Sequence, residues 1–344
     1  MRSIEWISGK VRFIDVTKLP TRLEIVETSD YVELANAIKS MKIRGAPAIG
    51  VAVAFGLALV AYHSKTVRYE DFMDELKHAA QVLSNARPTA VNASWAAGRI
   101  LTKALSYNSL SEVKKAVINE AINMAEEDVK INKAMSEYGA SLIKDGDVII
   151  THCNTGMLAT VDIGTALGVI IRAHKQGKRI MVYVDETRPA LQGARLTAWE
   201  LKHAGVPFKL IVDSAAGIVM RNKGVTKVFV GADRILRDGH VINKIGTYTL
   251  SVLAKAHNVE FYVVAPTSSF DMTRHINEVI IEERDPREVT CIKGKRIAPR
   301  NIEVYNPVFD ITPPENVTGI ITEKGIIYPP YSENIPKILI SSSS

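Results

Sequence analysis

The chain has 344 residues, 47% of them hydrophobic and 23% charged, with a formal net charge of +6. That size and balance exclude a disordered chain or a small disulfide-stapled one, and the two cysteines, Cys153 and Cys291, point to a reducing, cytoplasmic setting. The excess positive charge favours an acidic partner, but Lys and Arg alternate with Glu and Asp instead of forming a basic run, which favours a small phosphorylated molecule over nucleic acid.

Residues 1–26 alternate in short extended pieces, with Ile4, Trp6, Val11, Phe13 and Ile14 leading to a turn at Leu19-Pro20, and read as a small β element; residues 1–13 lack the apolar core of a signal peptide. Helical spacing then takes over to about residue 142 and predicts helices over 31–42, 46–64, 69–86, 90–107 and 111–142. The second contains the longest apolar run. About 17 helical residues reach only roughly 25 Å of a 30 Å hydrocarbon core, and their many Ala and Gly residues suit close packing, so a buried helix is expected and no membrane partner. Its entrance, Arg44-Gly45-Ala46-Pro47-Ala48-Ile49-Gly50, joins a guanidinium to small residues at a helix start, where orphan N–H groups and the dipole attract phosphate; alone, such a pair is more often just a turn and cap. Pro88 biases Arg87 to an extended conformation, placing it in a loop beside a helix start.

After Asp145-Gly146 the pattern changes to strands over 148–151, 180–184, 208–212, 228–230 and 260–264, separated by helices over 163–176, 189–204, 215–222 and 247–257. The expected class is α/β: a Rossmann-like parallel sheet with helices on both faces (residues 143–344), preceded by a mostly helical N-terminal domain with the small β element (residues 1–142). The proline-interrupted tail after residue 299 is expected to be irregular and residues 341–344 disordered.

Ligands of open parallel sheets bind beyond the carboxyl ends of the strands. Those ends carry Thr151-His152-Cys153-Asn154-Thr155-Gly156, Asp185-Glu186-Thr187-Arg188-Pro189, Asp213-Ser214 and Gly231-Ala232-Asp233-Arg234. Asp185 and Asp213-Ser214 read equally well as helix caps, and His152 as a packing residue. The polar turn after Cys153 is expected to expose the thiol to a pocket, while the apolar, small-residue context of Asp233 is expected to desolvate its carboxyl and raise its pKa, making it an acid usable near neutrality. Asn243-Lys244-Ile245-Gly246-Thr247 opens a further helix with an ammonium and a glycine. No His/Cys/Asp set has metal-ligand spacing, no G-x-G-x-x-G follows a strand, and neither a Walker loop nor a serine-hydrolase elbow is present. No metal is therefore expected, and nicotinamide and nucleoside triphosphate chemistry lose their usual evidence.

These motifs, together with Arg87-Pro88-Thr89-Ala90-Val91-Asn92, occur in an order that resembles the S-methyl-5-thioribose-1-phosphate isomerases from Trp6 to Thr312-Pro313-Pro314-Glu315. One departure is Val16, where that family often carries glutamine after an aspartate. The resemblance implies a cofactor-free homodimeric aldose–ketose isomerase of methionine salvage, with Cys153 and Asp233 as the catalytic pair. It also implies substrate contacts at Arg44, Gly45, Ala46, Arg87, Gln192, Asn243 and Lys244. Two relatives of the same superfamily are the alternatives: a ribose-1,5-bisphosphate isomerase, which must hold a second phosphate, and the regulatory subunits of initiation factor 2B, which are scaffolds with no need of a catalytic thiol and acid. A nicotinamide-dependent dehydrogenase would rest on fold alone.

Overall fold

A computed structural model describes residues 1–87 and 91–340, so the expectations for Pro88, Thr89, Ala90 and the last four serines lie outside the described residues. Two compact units are present: residues 1–132 with 156–164, and residues 133–155 with 165–344. The expected boundary after residue 142 falls at the end of the helix within which this division lies.

In the first unit β1 (Ile4–Ile7), β2 (Lys10–Ile14) and β3 (Ile25–Thr28) form an antiparallel sheet, as the alternation predicts. Four helices follow, α1 (Tyr31–Lys39), α2 (Ala46–His63), α3 (Tyr69–Asn85) and α4 (Val91–Ala104), and then the long α5 (Leu110–Leu142). Helix α2 has no polar face because it is surrounded: α1, α3 and α4 pack on it, and residues 48–61 are all buried. It is long and apolar enough to cross a membrane, yet most of it lies in the core, where its small residues let neighbours approach closely; Gly56 faces Leu83 of α3.

The second unit is built on a seven-stranded sheet. Its strands are β4 (Val148–Thr151), β5 (Met181–Asp185), β6 (Phe208–Ile211), β7 (Lys227–Val230), β10 (Glu260–Val264), β15 (Gly319–Thr322) and β16 (Gly325–Ile327). The order is β16-β15-β10-β7-β4-β5-β6, parallel except for β16. From β4 the chain adds β5 and β6 on one side and then returns to add β7 and β10 on the other, the doubly wound order, with the reversal between β4 and β7. The connections carry α6 (Ala166–Lys175), α7 (Ala198–Ala204), α8 (Ala216–Asn222) and α9 (Thr247–Ala256). A smaller sheet ordered β11-β8-β9-β14 joins β8 (Arg234–Leu236), β9 (Val241–Lys244), β11 (Phe270–Asp271) and β14 (Phe309–Thr312). The segment between β11 and β14 holds α10 (Arg287–Thr290) and the hairpin of β12 (Cys291–Ile292) and β13 (Lys295–Arg296).

Two expectations are corrected. The tail is not irregular: it supplies β14, β15, β16 and the terminal α11 (Tyr331–Ile340), because its prolines fall between these elements, or within α11 at Pro336, where helix α11 continues. Residues 189–204 are not one helix. A π turn at Gly193–Thr197 precedes α7, and residues 188–191 before it form a turn in which the Leu191 N–H donates to the Thr187 carbonyl at 2.7 Å.

Candidate active site

Cys153 and Gly231 each stand two residues beyond a registered pair, Thr151 on β4 and Phe229 on β7. The thiol-bearing loop and the loop leading to Asp233 therefore leave adjacent strands at the point where winding reverses, and the Thr155 side chain packs on Gly231. Asp233 donates its backbone N–H to the Ile242 carbonyl at 3.0 Å, which sets it beside Asn243 and Lys244 on β9.

The backbone around Cys153 is held in an uncommon form. Cys153, Thr187 and Leu191 have φ of 62°, 63° and 59°, a left-handed region costly for a β-branched residue such as Thr187. Side chains over-determine it. The Cys153 N–H donates to Thr187 Oγ1 (2.8 Å), the Thr197 hydroxyl donates to the Cys153 carbonyl (2.6 Å), and the Thr187 and Arg188 N–H groups donate to the two oxygens of Asp213 (both 2.7 Å). Asp213 and Asp185 thus secure loops and do not cap their own helices.

His152 is fully buried, with Nε2 at 2.8 Å from the Ile245 carbonyl and Nδ1 at 2.9 Å from Asp185 Oδ2. Burial pushes the imidazole pKa down, but the hydrogen bond and charge of Asp185, aided by Asp213, outweigh it and hold the pKa above its ordinary value. His152, Asp185 and Asp213 place ligand-type atoms within 4.8 Å of one another. Both histidine nitrogens and both Asp213 oxygens already serve the loop, so the cluster fits a structural network better than a metal site. Gly246 packs against the His152 ring and donates, with Tyr248, to Asp310, whose carboxyl burial pushes up to about 6.

Two sequence expectations need correction. Cys153 is only 6% exposed, because Asn154 turns inward to Glu200 (2.8 Å) instead of opening the turn to solvent. Asp233 is exposed, not enclosed by its apolar neighbours, since it lies past the end of β7.

Gln192 and Lys244, 5% and 9% exposed, line one cleft together with Pro189, Arg284, Glu288 and Asn306. Lys244 Nζ donates to the Val308 carbonyl (3.0 Å) and lies 4.7 Å from the Phe309 ring centre. Asn243 donates to the Thr247 hydroxyl (3.0 Å) at the start of α9. Arg284, Glu288 and Asn306 escaped the sequence reading because they lie in a segment with no helical or strand period.

The other expected contacts belong to the first unit. Gly45 has φ +92°, and a Cβ there would stand 2.7 Å from the Ala159 carbonyl carbon, so only glycine fits between Arg44 and the start of α2. No side chain caps α2, whose second residue is Pro47, and Ala46 opens it. Arg87 donates to the Met41 sulfur, three residues before Arg44, which brings both guanidinium-bearing segments to one turn.

Residues 42–329 match the model of the initiation factor 2 subunit family. The chain belongs to that family. Among its relatives, the methylthioribose-1-phosphate isomerase of Thermoanaerobacter sp. strain X514 is 52% identical over 98% of this chain and 99% of its own. Two solved structures are similar throughout. The 5-methylthioribose 1-phosphate isomerase of Pyrococcus horikoshii OT3 is 46% identical with a TM-score of 0.94, over 99% of this chain and 96% of that one. The Archaeoglobus fulgidus protein described as translation initiation factor eIF-2B, subunit delta, is 52% identical with a TM-score of 0.91, over 99% of both chains. Both solved structures thus share the fold of this chain.

Proposed function

We propose that this chain is a methylthioribose-1-phosphate isomerase, converting 5-methylthioribose 1-phosphate to 5-methylthioribulose 1-phosphate. The observation that carries the reading is a thiol and a carboxylate on loops from the two adjacent strands that flank the winding reversal, in a chain about half identical to named isomerases over its full length.

A sugar 1-phosphate has no free aldehyde, so its ring opens before hydrogen moves from C2 to C1. Opening needs an acid at the ring oxygen, and Asp233 is the candidate; as its carboxyl is exposed on its own chain, this role requires the substrate to exclude water from it. Cys153, fixed by the Thr187 and Thr197 side chains, is the candidate base or transition-state stabiliser for the transfer, whether the hydrogen moves as a proton through an enolate or as a hydride. Arg44, the Gly45-Ala46 backbone, Arg87 and Lys244 are proposed for the phosphate, Gln192 and Asn243 for the sugar. A homodimer in the cytoplasm, acting without metal, cofactor, nucleic acid or membrane, completes the proposal.

The second reading, a non-catalytic exchange-factor subunit, is favoured by the description of the A. fulgidus structure. Steady-state turnover decides between them. Cys153→Ser and Asp233→Asn are each expected to lower kcat by about 10²–10⁴; near-wild-type turnover by both variants refutes the catalytic assignment. Ribose 1,5-bisphosphate assayed in parallel is expected to be the poorer substrate. Light scattering tests the dimer.

A further inference from the structure

Beyond the residues that family resemblance supplies, the cleft at Gln192 contains an acceptor awaiting a donor. Gln192 Oε1 is buried with no hydrogen-bond partner among the described residues, and a buried orphan acceptor is costly unless something that enters the cleft completes it. Glu288 on α10, half-buried, lines the same cleft, and its carboxylate takes part in none of the ion pairs among the described residues; Arg284 and Lys244 line it too. Two acceptors beside two cations suit a polyol bearing an anionic group, not an apolar ligand.

The segment that carries Glu288 is built to keep it there. Its two legs pair: Arg284 N–H donates to the Asn306 carbonyl (3.0 Å), Val308 N–H to the Glu282 carbonyl (3.1 Å), and Glu283 bridges to Pro307. Its tip is tied down by Arg188, whose Nη2 donates to the Val289 carbonyl at 3.0 Å, next to Glu288. The Arg188 backbone N–H is itself fixed by Asp213. The arginine of the Asp185-Glu186-Thr187-Arg188-Pro189 run, which the catalytic scheme leaves without a task, thus connects the sheet edge to α10.

We infer that Glu288 is a specificity-determining residue that accepts a hydrogen bond from a ring hydroxyl of the substrate pentose, in the cleft it shares with Gln192, and that Arg188 is the positioning residue that holds it there. This rests on the isomerase reading. A hydroxyl bound by a carboxylate is strongly discriminated from its absence, because removing it strands a charged acceptor.

The test measures inhibition constants of ribose 1-phosphate and its 2-deoxy and 3-deoxy analogues against methylthioribose 1-phosphate turnover, in wild type, Glu288→Ala, Glu288→Gln and Arg188→Ala. Wild type is expected to bind one of the two deoxy analogues about 10–100-fold more weakly than the parent. In Glu288→Ala that gap closes to within about 3-fold, since the two deletions remove the same interaction; Glu288→Gln, which keeps shape and an acceptor, retains part of it, and Arg188→Ala narrows it. Melting temperatures identify any variant that fails to fold, and Glu288→Gln then carries the comparison. If wild type shows no gap, or the full gap survives in Glu288→Ala, the inference is overturned while the isomerase reading stands. If wild type does not turn over methylthioribose 1-phosphate, both fall.

Discussion

Gly193 offers a direct measure of how tightly the site loops are tied to the sheet. A Cβ built there stands 2.9 Å from the Asp185 carbonyl carbon and 3.0 Å from Thr187 Oγ1, with the Asp185 carbonyl oxygen closer still. The Asp185 carbonyl oxygen is the limiting contact, so Gly193→Ala must drive the π turn and the end of β5 apart by more than about 1 Å. Both sides are backbone, which places the cost near the upper end of overpacking, about 3 kcal/mol, or about 6–12 °C in Tm for a unit of this size. The same displacement moves Gln192 and disturbs Thr187, on which the Cys153 N–H depends, so turnover is expected to fall at least about tenfold. Gly177→Ala is the control: its φ is +87°, yet a Cβ there meets nothing within 4 Å, leaving only the backbone cost of about 1–2 kcal/mol and unchanged kcat. Differential scanning calorimetry of both variants, with steady-state kinetics, measures the difference. Equal melting temperatures for the two, or a Gly193→Ala enzyme with wild-type turnover, would show that the loop gives way cheaply and that the close approach carries no function.

Two further outcomes test other parts of the molecule. Burial pushes Asp128 up to about 7 while it accepts the Val161 N–H at 2.8 Å, so the folded first unit binds a proton that the unfolded chain releases above pH 4. Its stability therefore falls as pH rises from about 4 to about 7, and Asp128→Asn, neutral and still an acceptor, is expected to flatten that decline and gain on the order of 2–4 kcal/mol at pH 8 in denaturant titrations; an unchanged pH slope would count against it. Tyr331→Phe removes the hydroxyl that donates to the Val317 carbonyl (2.9 Å) inside the second unit's core and is expected to cost about 1–2 kcal/mol in the same titrations, whereas a loosely attached tail would show no loss.

The parts legible in the sequence are those where one local rule decides. The strands over 148–151 and 260–264 are found as read, because short apolar runs bounded by Asp147 and His152, or by Asn258 and Pro266, have no competing helical period, and α2 is recognised as buried from its length and its many Ala and Gly residues. The small sheet of β8, β9, β11 and β14 was not legible: its strands are two to four residues long, and their pairing, such as Asp310 opposite Asn243, joins segments far apart in the chain. The same holds for Arg284 and Glu288, which tertiary closure alone brings to Gln192.

Asp233 marks a different boundary. The apolar run before it states where the strand is buried, not where its cover ends, and the carboxylate lies beyond that end. A general acid working near neutral pH needs a raised pKa, and desolvation of the carboxyl is one way to supply it. If Asp233 protonates the ring oxygen, the desolvation that raises its pKa arrives with the bound sugar, so the acid pKa in the kcat profile lies above the one in kcat/KM. Cys153, already buried and held by Thr187 and Thr197, needs no such step. On the proposed assignment the pair is asymmetric: folding alone places the thiol, whereas the acid depends on the bound sugar to exclude water.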